Sequence, residues 1–279
     1  SIDQEEYAGE WLGTPIYYYY NYYIQVGKKE LESTIEKDYL GGELMTSTTH
    51  YYYNSHHLLS SVEKSLSDGS IQKNTYKYPF DIPSTVNQKM TNLNMMDFVL
   101  ETEQLKDNNL TNGFKSVYKD WGGDMVKLET LNTRKSSIDS YDEKIKYKVY
   151  DSYGNPLEVS NADGPSISYV WGYNSEYVVA KIENATQADI GSLNLNMTLI
   201  NDGSTSDSSM RTELNKIRTG LPGALVSTYT YAPLIGVTSM TDAKGYTVYY
   251  EYDSFNRLQY VKDEAGKLVS ENQYHYKNQ

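Results

Sequence analysis

The sequence predicts a mainly β protein in which stacked antiparallel β-hairpins form a curved or spiralling sheet, with one short helix and one inserted helical hairpin. Two observations predict this class. A set of residues recurs after 21 positions, and such a fixed period is typical of repeat architectures: Tyr231, Asp242 and Gly245 return as Tyr252, Asp263 and Gly266. The chain also contains 30 Tyr against 4 Phe, which suits a half-exposed sheet because the Tyr ring packs while its hydroxyl reaches water or a partner.

The same spacing identifies further copies towards the N-terminus. Tyr150 precedes Gly164 by 14 residues, the interval that separates Tyr252 from Gly266. A looser copy starts at Tyr53. We therefore expect repeats along most of the chain, with their regularity decreasing towards the N-terminus.

Each copy is predicted to be a β-hairpin. Residues 246–253 and 258–262 have the alternating pattern of extended strands, in which successive side chains point to opposite faces. Between them, Asp253 and Asn256 supply side-chain hydrogen bonds suited to a turn. A single hairpin cannot bury its apolar face alone, so the units must stack.

These residues resemble the tyrosine-aspartate (YD) repeats of bacterial RHS-type proteins. The family pattern is an aromatic strand, Tyr-Asp, a small or Gly turn, Arg-Leu, and a second strand ending near Gly. The resemblance is specific over residues 145–279 and weaker over 15–80. The signature residues, interpreted as structural, are Tyr150, Asp151, Gly164, Tyr231, Asp242, Gly245, Tyr252, Asp253, Arg257, Leu258 and Gly266.

The pattern along the chain predicts five segments. They are degenerate Tyr-rich hairpins over 1–80, irregular strands with a short helix near 84–96 over 81–140, YD-like repeats over 141–185, a helical insertion over 186–222, and two YD repeats with a closing strand over 223–279.

Two of these segments contain helix signals. Ser84 is a predicted helix cap, with Met90 on the apolar face that follows it. In the insertion we expect helices over 185–199 and 210–218, the second with Met210 and Leu214 on an apolar stripe that packs against the sheet.

Composition excludes several function classes. The absence of Cys removes disulfides, thiolate catalysis and Cys-based zinc sites. A net charge of -12 argues against nucleic acid as a partner. No apolar run reaches the length of a membrane helix. The chain begins at Ser1 without a signal segment, so we interpret it as a mature piece or part of a larger exported protein whose signal lies upstream.

No catalytic, cofactor or metal site is expected. His56 and His57 are adjacent, so on a strand their side chains point to opposite faces and do not share one ion with His50. The repeated Asp residues are explained by turns, which need an acceptor for backbone N–H groups. A Gly-x-Ser-x-Gly elbow is absent. We predict that the chain is not an enzyme.

A binding surface is predicted on the Tyr-rich segments 17–23 and 51–53. Because neighbouring side chains alternate, Tyr18, Tyr20, Tyr22 and Tyr52 are candidates to face outward and contact glycans or a protein partner. The alternative is that these rings form cross-strand ladders that stabilise the sheet.

The resemblance implies a scaffold function. RHS-type hairpins wind into a spiralling sheet that can close as a shell, in some members around a C-terminal toxin released by self-cleavage. This sequence has neither an Asp-Pro-x-Gly motif nor a toxin-like segment after the last strand, so we expect only the scaffold.

The leading hypothesis is a non-enzymatic scaffold, shell segment or interaction module of an exported bacterial protein, at the cell surface, in the outer membrane or secreted. Its sheet edges are expected to pair with further repeats of the same polypeptide or with a protein partner. The alternative is a carbohydrate- or partner-binding adhesin module that uses the exposed Tyr side chains. A glycoside hydrolase is a third hypothesis, and it requires a cleft with two carboxylates for which the sequence has no motif.

Overall fold

The computed structural model describes residues 27–40, 43–66 and 68–275. The chain divides into two compact units, residues 1–31 and residues 32–279. In the first unit the described residues are 27–31, which are exposed and have no regular secondary structure. The second unit contains the described strands and helices.

Within the described residues, sixteen strands form one sheet in which the order of strands follows the order along the chain, and each strand pairs antiparallel with its sequence neighbours. This arrangement confirms the predicted stacking of hairpins. The strands are β1 (Ser33–Leu40), β2 (Glu43–Tyr53), β3 (Leu59–Ser65), β4 (Ile71–Lys77), β5 (Glu101–Lys106), β6 (Asn109–Asp120), β7 (Val126–Arg134), β8 (Asp142–Tyr150), β9 (Pro156–Asn161), β10 (Ser166–Gly172), β11 (Tyr177–Glu183), β12 (Leu225–Ala232), β13 (Gly236–Thr241), β14 (Thr247–Tyr252), β15 (Leu258–Asp263) and β16 (Leu268–Glu271).

Strands β5, β6 and β7 occupy the region predicted to contain irregular strands. Strands β5, β6 and β7 pair continuously, and the β6–β7 ladder passes a bulge between Val117 and Tyr118 without ending. Gly122 and Gly123, with φ of +103° and +56°, supply the reversal between β6 and β7. Glycine tolerates this left-handed region because it has no Cβ.

The helices of the described residues fall in two places along the chain. They are a 3-10 helix (Pro79–Asp81), α1 (Thr85–Asn92), α2 (Gln187–Gly191), α3 (Met197–Asn201) and α4 (Asp207–Gly220). Ser84 caps α1 as predicted, since its hydroxyl accepts a hydrogen bond from the Asn87 amide at 3.0 Å.

The single helix predicted over 185–199 is wrong, because two short helices occupy that region. Asn194 has φ of +48°, a left-handed conformation that a right-handed helix cannot continue through. Asn196 then caps α3 by accepting the Leu199 amide at 3.1 Å. The insertion thus contains three helices where the sequence predicted two.

In the part of the chain that the structure describes, two apolar cores lie between the helices and the sheet. In the larger one, Met210, Leu214 and Ile217 of α4 are fully buried against Ile182 and Val226 of the sheet. The smaller core contains Met90 of α1 with Leu100 and Val126. The predicted apolar stripe of the insertion therefore packs on the sheet. Among the described residues, the helices are too short or too polar to cross a membrane.

Candidate functional site

Five hairpin turns share one pattern of hydrogen bonds. The side-chain oxygen of the first residue accepts the amides of the third and fifth residues at 2.8 to 3.1 Å. The amide of the first residue donates to the carbonyl of the fifth, and the amide of the fourth donates to the carbonyl of the first. The first residues are Asn54, Asp151, Asp242, Asp253 and Asp263. We call these the Asx turns.

The fourth residue of each Asx turn has a left-handed backbone, which explains the repeated glycines. Gly154, Gly245 and Gly266 have φ between +75° and +92°, and His57 and Asn256 each have φ of +60°. Glycine and Asn reach this region most easily.

His57 is thus part of a turn, while the ring of His56 packs 4.1 Å from that of Phe80. No group of three metal-ligating side chains occurs among the described residues. Gly164 differs from Gly266, since it lies outside the left-handed region and its amide donates to the Asn161 carbonyl at 3.2 Å.

The aromatic residue at the end of a hairpin's first strand has a second, unpredicted role. In six hairpins it pairs across a β-bulge with a residue near the start of the second strand: Tyr53 with Leu59, Tyr118 with Leu128, Tyr150 with Pro156, Trp171 with Val178, Tyr231 with Val237, and Tyr252 with Leu258. A bulge interrupts the ladder of backbone hydrogen bonds locally. A backbone carbonyl at such a position can therefore accept a hydrogen bond from a side chain.

The carbonyls of these six second-strand residues each accept a hydrogen bond from an aromatic side chain that lies in the following strand or, for Tyr78 and Tyr274, just after it. We call these contacts the bulge bonds. The donors and acceptors, 2.8 to 3.0 Å apart, are Tyr78 to Leu59, Tyr150 to Leu128, Trp171 to Pro156, Tyr231 to Val178, Tyr252 to Val237, and Tyr274 to Leu258. Each bond therefore joins one hairpin to the next.

The bulge bonds explain why five of these positions hold Tyr and not Phe, since Phe has no hydroxyl to donate. Burial raises the pKa of Tyr231 to about 12, and burial also raises the pKa values of Tyr150 and Tyr252. The hydroxyls therefore stay protonated and able to donate at neutral pH. The ratio of Tyr to Phe was the signal in the sequence that could have revealed this role.

Arg257 joins the Asp253 turn to the last bulge bond. Its Nε donates to Asp253 Oδ2 at 2.8 Å, and its guanidinium lies 4.3 Å from the Tyr274 ring centre. Hydrogen bonding from Arg257 lowers the pKa of Asp253. Leu258, the next signature residue, supplies the carbonyl that accepts the Tyr274 hydroxyl.

Glu158 anchors the helical insertion to the sheet. This buried carboxylate accepts the Gln187 amide at the start of α2 at 2.9 Å and the Ser166 hydroxyl at 2.8 Å, and Lys148 lies 3.3 Å away. Burial opposes ionisation of Glu158, but these three donors together lower its pKa. The favourable position of an anion at a helix N-terminus adds to this effect.

The proposed binding residues fall partly outside the described chain. Tyr18, Tyr20 and Tyr22 lie outside the described residues. Tyr52 is 45% exposed, and its hydroxyl is 3.5 Å from Glu63. Its role in binding stays a prediction.

Exposed apolar side chains occur in turns at one end of the strands, which the sequence did not predict. Tyr153, Leu234 and Phe255 are 75%, 96% and 76% exposed. They lie in the turns after β8, β12 and β14. Because successive strands run antiparallel, these three turns are at the same end of the strands. We call them the hairpin tips.

The fold and these contacts define a β-hairpin repeat protein. No family model matches the chain, and no curated protein matches it. Among solved structures it is similar to a TcdB2-TccC3 protein without its hypervariable C-terminal region, with a TM-score of 0.41, 10% identity, and coverage of 86% of this chain and 12% of that chain.

Two further solved structures are similar. A TcdB2-TccC3-TEV protein has a TM-score of 0.41 and 11% identity, covering 85% of this chain and 12% of that one. A Photorhabdus luminescens Tc holotoxin pore has a TM-score of 0.33 and 10% identity, covering 83% and 12%. The chain spans about an eighth of the length of these neighbours, and likeness at this level does not define its family.

Proposed function

We propose that this chain is a non-enzymatic scaffold or shell segment, a β-hairpin repeat module of an exported bacterial protein located at the cell surface, in the outer membrane or in the medium. The observation that carries the proposal is the series of bulge bonds. In six hairpins a backbone carbonyl accepts a hydrogen bond from an aromatic side chain of the next hairpin, so repetition of this contact can extend a sheet one unit at a time.

The signature side chains support this function because their polar groups serve structural contacts. The Asp carboxylates accept the amides of their own turns, and the Tyr hydroxyls donate to backbone carbonyls of the preceding hairpin. The Asp contacts thus stabilise single hairpins, and the Tyr contacts join neighbouring hairpins. A repeat scaffold needs both, since its stability comes from each unit and from the contacts between neighbours. The edge strands β1 and β16 are the places where further repeats or a protein partner would pair.

A second candidate function is recognition of a protein or glycan partner. The exposed hairpin tips and the exposed ring of Tyr52 favour it, because accessible aromatic and apolar groups are suited to contact a partner. Titration with soluble glycans, followed by tyrosine fluorescence, tests this function. Saturable binding that Tyr52→Ala abolishes would support recognition, with Tyr246→Ala as an exposed control.

Electron cryomicroscopy of the chain within its native assembly tests the scaffold function. Pairing of both β1 and β16 with further hairpins is the expected result. Free edges with the hairpin tips bound to a separate partner would instead support recognition. Turnover of glycoside, ester or peptide substrates by the purified chain would refute the non-enzymatic part, and cell fractionation tests the proposed export.

A further inference from the structure

The hairpin turn between β10 and β11 has no Asx side chain to accept its amides. Trp171-Gly172 stands there, where three other hairpins have Tyr followed by Asp or Asn: Tyr53-Asn54, Tyr150-Asp151 and Tyr252-Asp253. The amides of the next three residues donate to the C-terminal end of α3 instead. Tyr173 donates to the Ile200 carbonyl at 3.0 Å, Asn174 to the Asn201 carbonyl at 3.2 Å, and Ser175 to Asn201 Oδ1 at 3.2 Å.

This turn has an unusual backbone. Tyr173, Asn174 and Ser175 all have left-handed φ values, +51°, +59° and +64°. L-residues other than Gly adopt this region as single residues and at a cost, so three in succession persist only where surrounding contacts hold them. The backbone contacts here come from α3, and the Tyr173 hydroxyl also accepts the Tyr231 amide of β12 at 2.9 Å.

Gly172 makes the approach of α3 possible. A Cβ at position 172 would lie 2.7 Å from the Ile200 carbonyl oxygen and 2.8 Å from a Val179 methyl group. The φ of Gly172 is outside the left-handed region, so close approach rather than conformation requires glycine. Gly172 thus has no side chain to accept the amides of the turn, and it leaves the space in which α3 brings the acceptors that replace it.

Helix α3 depends on the turn in return. It has 5 residues, too few to be stable as an isolated helix. Its Ile200 side chain is fully buried in the larger core, together with Tyr173 and Val179. The strained turn and the short helix therefore stabilise each other, in addition to the core contacts of Tyr173 and Ile200.

We propose that α3 and the turn formed by Tyr173, Asn174 and Ser175 are a latch, which opens and closes as one unit while the strands remain paired. Opening releases the three amides, lets the turn leave the left-handed region, and exposes the core around Ile200. The latch is a conformational device that the helical insertion adds to the repeat.

Native-state hydrogen exchange, measured by NMR on the whole chain, tests the latch. The amides of Tyr173, Asn174 and Ser175 should exchange at a common rate with the amides of Ile200 in α3 and of Asp202, which follows α3. They should exchange faster than the amides of β13 and β14. Asn201→Ala should accelerate exchange of this set about fivefold, since it removes one acceptor, and should leave exchange in β13 and β14 unchanged. Thr198→Ala, at an exposed position of the same helix, is the matched control.

A second variant tests the strain without removing a contact. Ser175→Gly should slow exchange of the same set about threefold, because glycine tolerates the left-handed region. The proposal is overturned if the turn amides respond to Asn201→Ala and the α3 amides do not, or if both sets exchange only with the whole sheet. Faster exchange in Ser175→Gly would also overturn it. If Asn201→Ala does not fold, the Ser175→Gly result decides.

Discussion

Replacing Tyr252 by Phe tests one bulge bond, because the change removes a hydroxyl and keeps the ring. The hydroxyl lies 2.9 Å from the Val237 carbonyl oxygen. A hydrogen bond of this kind contributes about 1 kcal/mol net, and a buried carbonyl left without a donor costs more. Both residues are half-buried, so water partly reaches the freed carbonyl. We expect the free energy of unfolding to fall by about 1 to 1.5 kcal/mol, and Tm to fall by about 2 to 5 °C.

Gly236 provides an independent test of the same bond. A Cβ at this position would overlap the Tyr252 hydroxyl, and the φ of Gly236 is outside the left-handed region. Gly236→Ala should therefore displace the hydroxyl and cost about as much as Tyr252→Phe. Both changes break the same hydrogen bond, from Tyr252 to the Val237 carbonyl. The double variant should therefore lose less free energy of unfolding than the sum of the two single losses, with a coupling energy of about 0.5 kcal/mol or more.

Urea unfolding followed by far-ultraviolet circular dichroism measures these differences. The control is Tyr246→Phe, at a side chain that is 69% exposed, where we expect a change within about 0.5 kcal/mol. Equal stability of Tyr252→Phe and Tyr246→Phe would refute the argument, as would strict additivity of Tyr252→Phe and Gly236→Ala.

Three further predictions concern the turns and the ionisable groups. Asp263→Asn should be nearly neutral, because Asn54 serves in an equivalent turn, while Asp263→Ala should cost about 1 kcal/mol in urea unfolding; equal effects would contradict the Asx turn. The pKa of Glu158 is lowered from 4.5, so its contribution is present above that pH and lost as the pH falls. In Glu158→Gln, Tm should therefore fall less steeply below pH 4.5 than in the unchanged protein. Parallel curves of Tm against pH for the two proteins would contradict this. The neutral Tyr231 hydroxyl stabilises the fold fully below pH 10.0 and this contribution is lost as the pH rises towards about 12. Tyr231→Phe should thus lose less stability in alkali, as followed by tyrosinate absorbance and circular dichroism, and an unchanged alkaline loss would disprove it.

The hairpins and the α1 cap could be predicted because their signals are local. Alternation with period 2 marks the strands, and Ser84 lies three residues before the amide it accepts. The break at Asn194 was missed because Asn is compatible with either a helix or a left-handed residue, and packing of Ile190 and Ile200 in the core decides between them.

The candidate site was predicted only in part. Asp242 and Asp263 could be assigned to turns, since each accepts amides within four residues of itself. The donor role of Tyr231 could not be assigned, because its acceptor, Val178, is 53 residues away across the helical insertion.

The sequence by itself determined the class of fold, the repeat and the positions of most turns, since these depend on side-chain alternation and on hydrogen bonds between near neighbours. Only the tertiary structure decided which carbonyls the Tyr hydroxyls meet and how α3 replaces an Asx side chain at the turn after Trp171. The physical reason is that a bulge carbonyl becomes available only after two strands have paired, and the approach of Ile200 to Gly172 exists only after the insertion has folded onto the sheet.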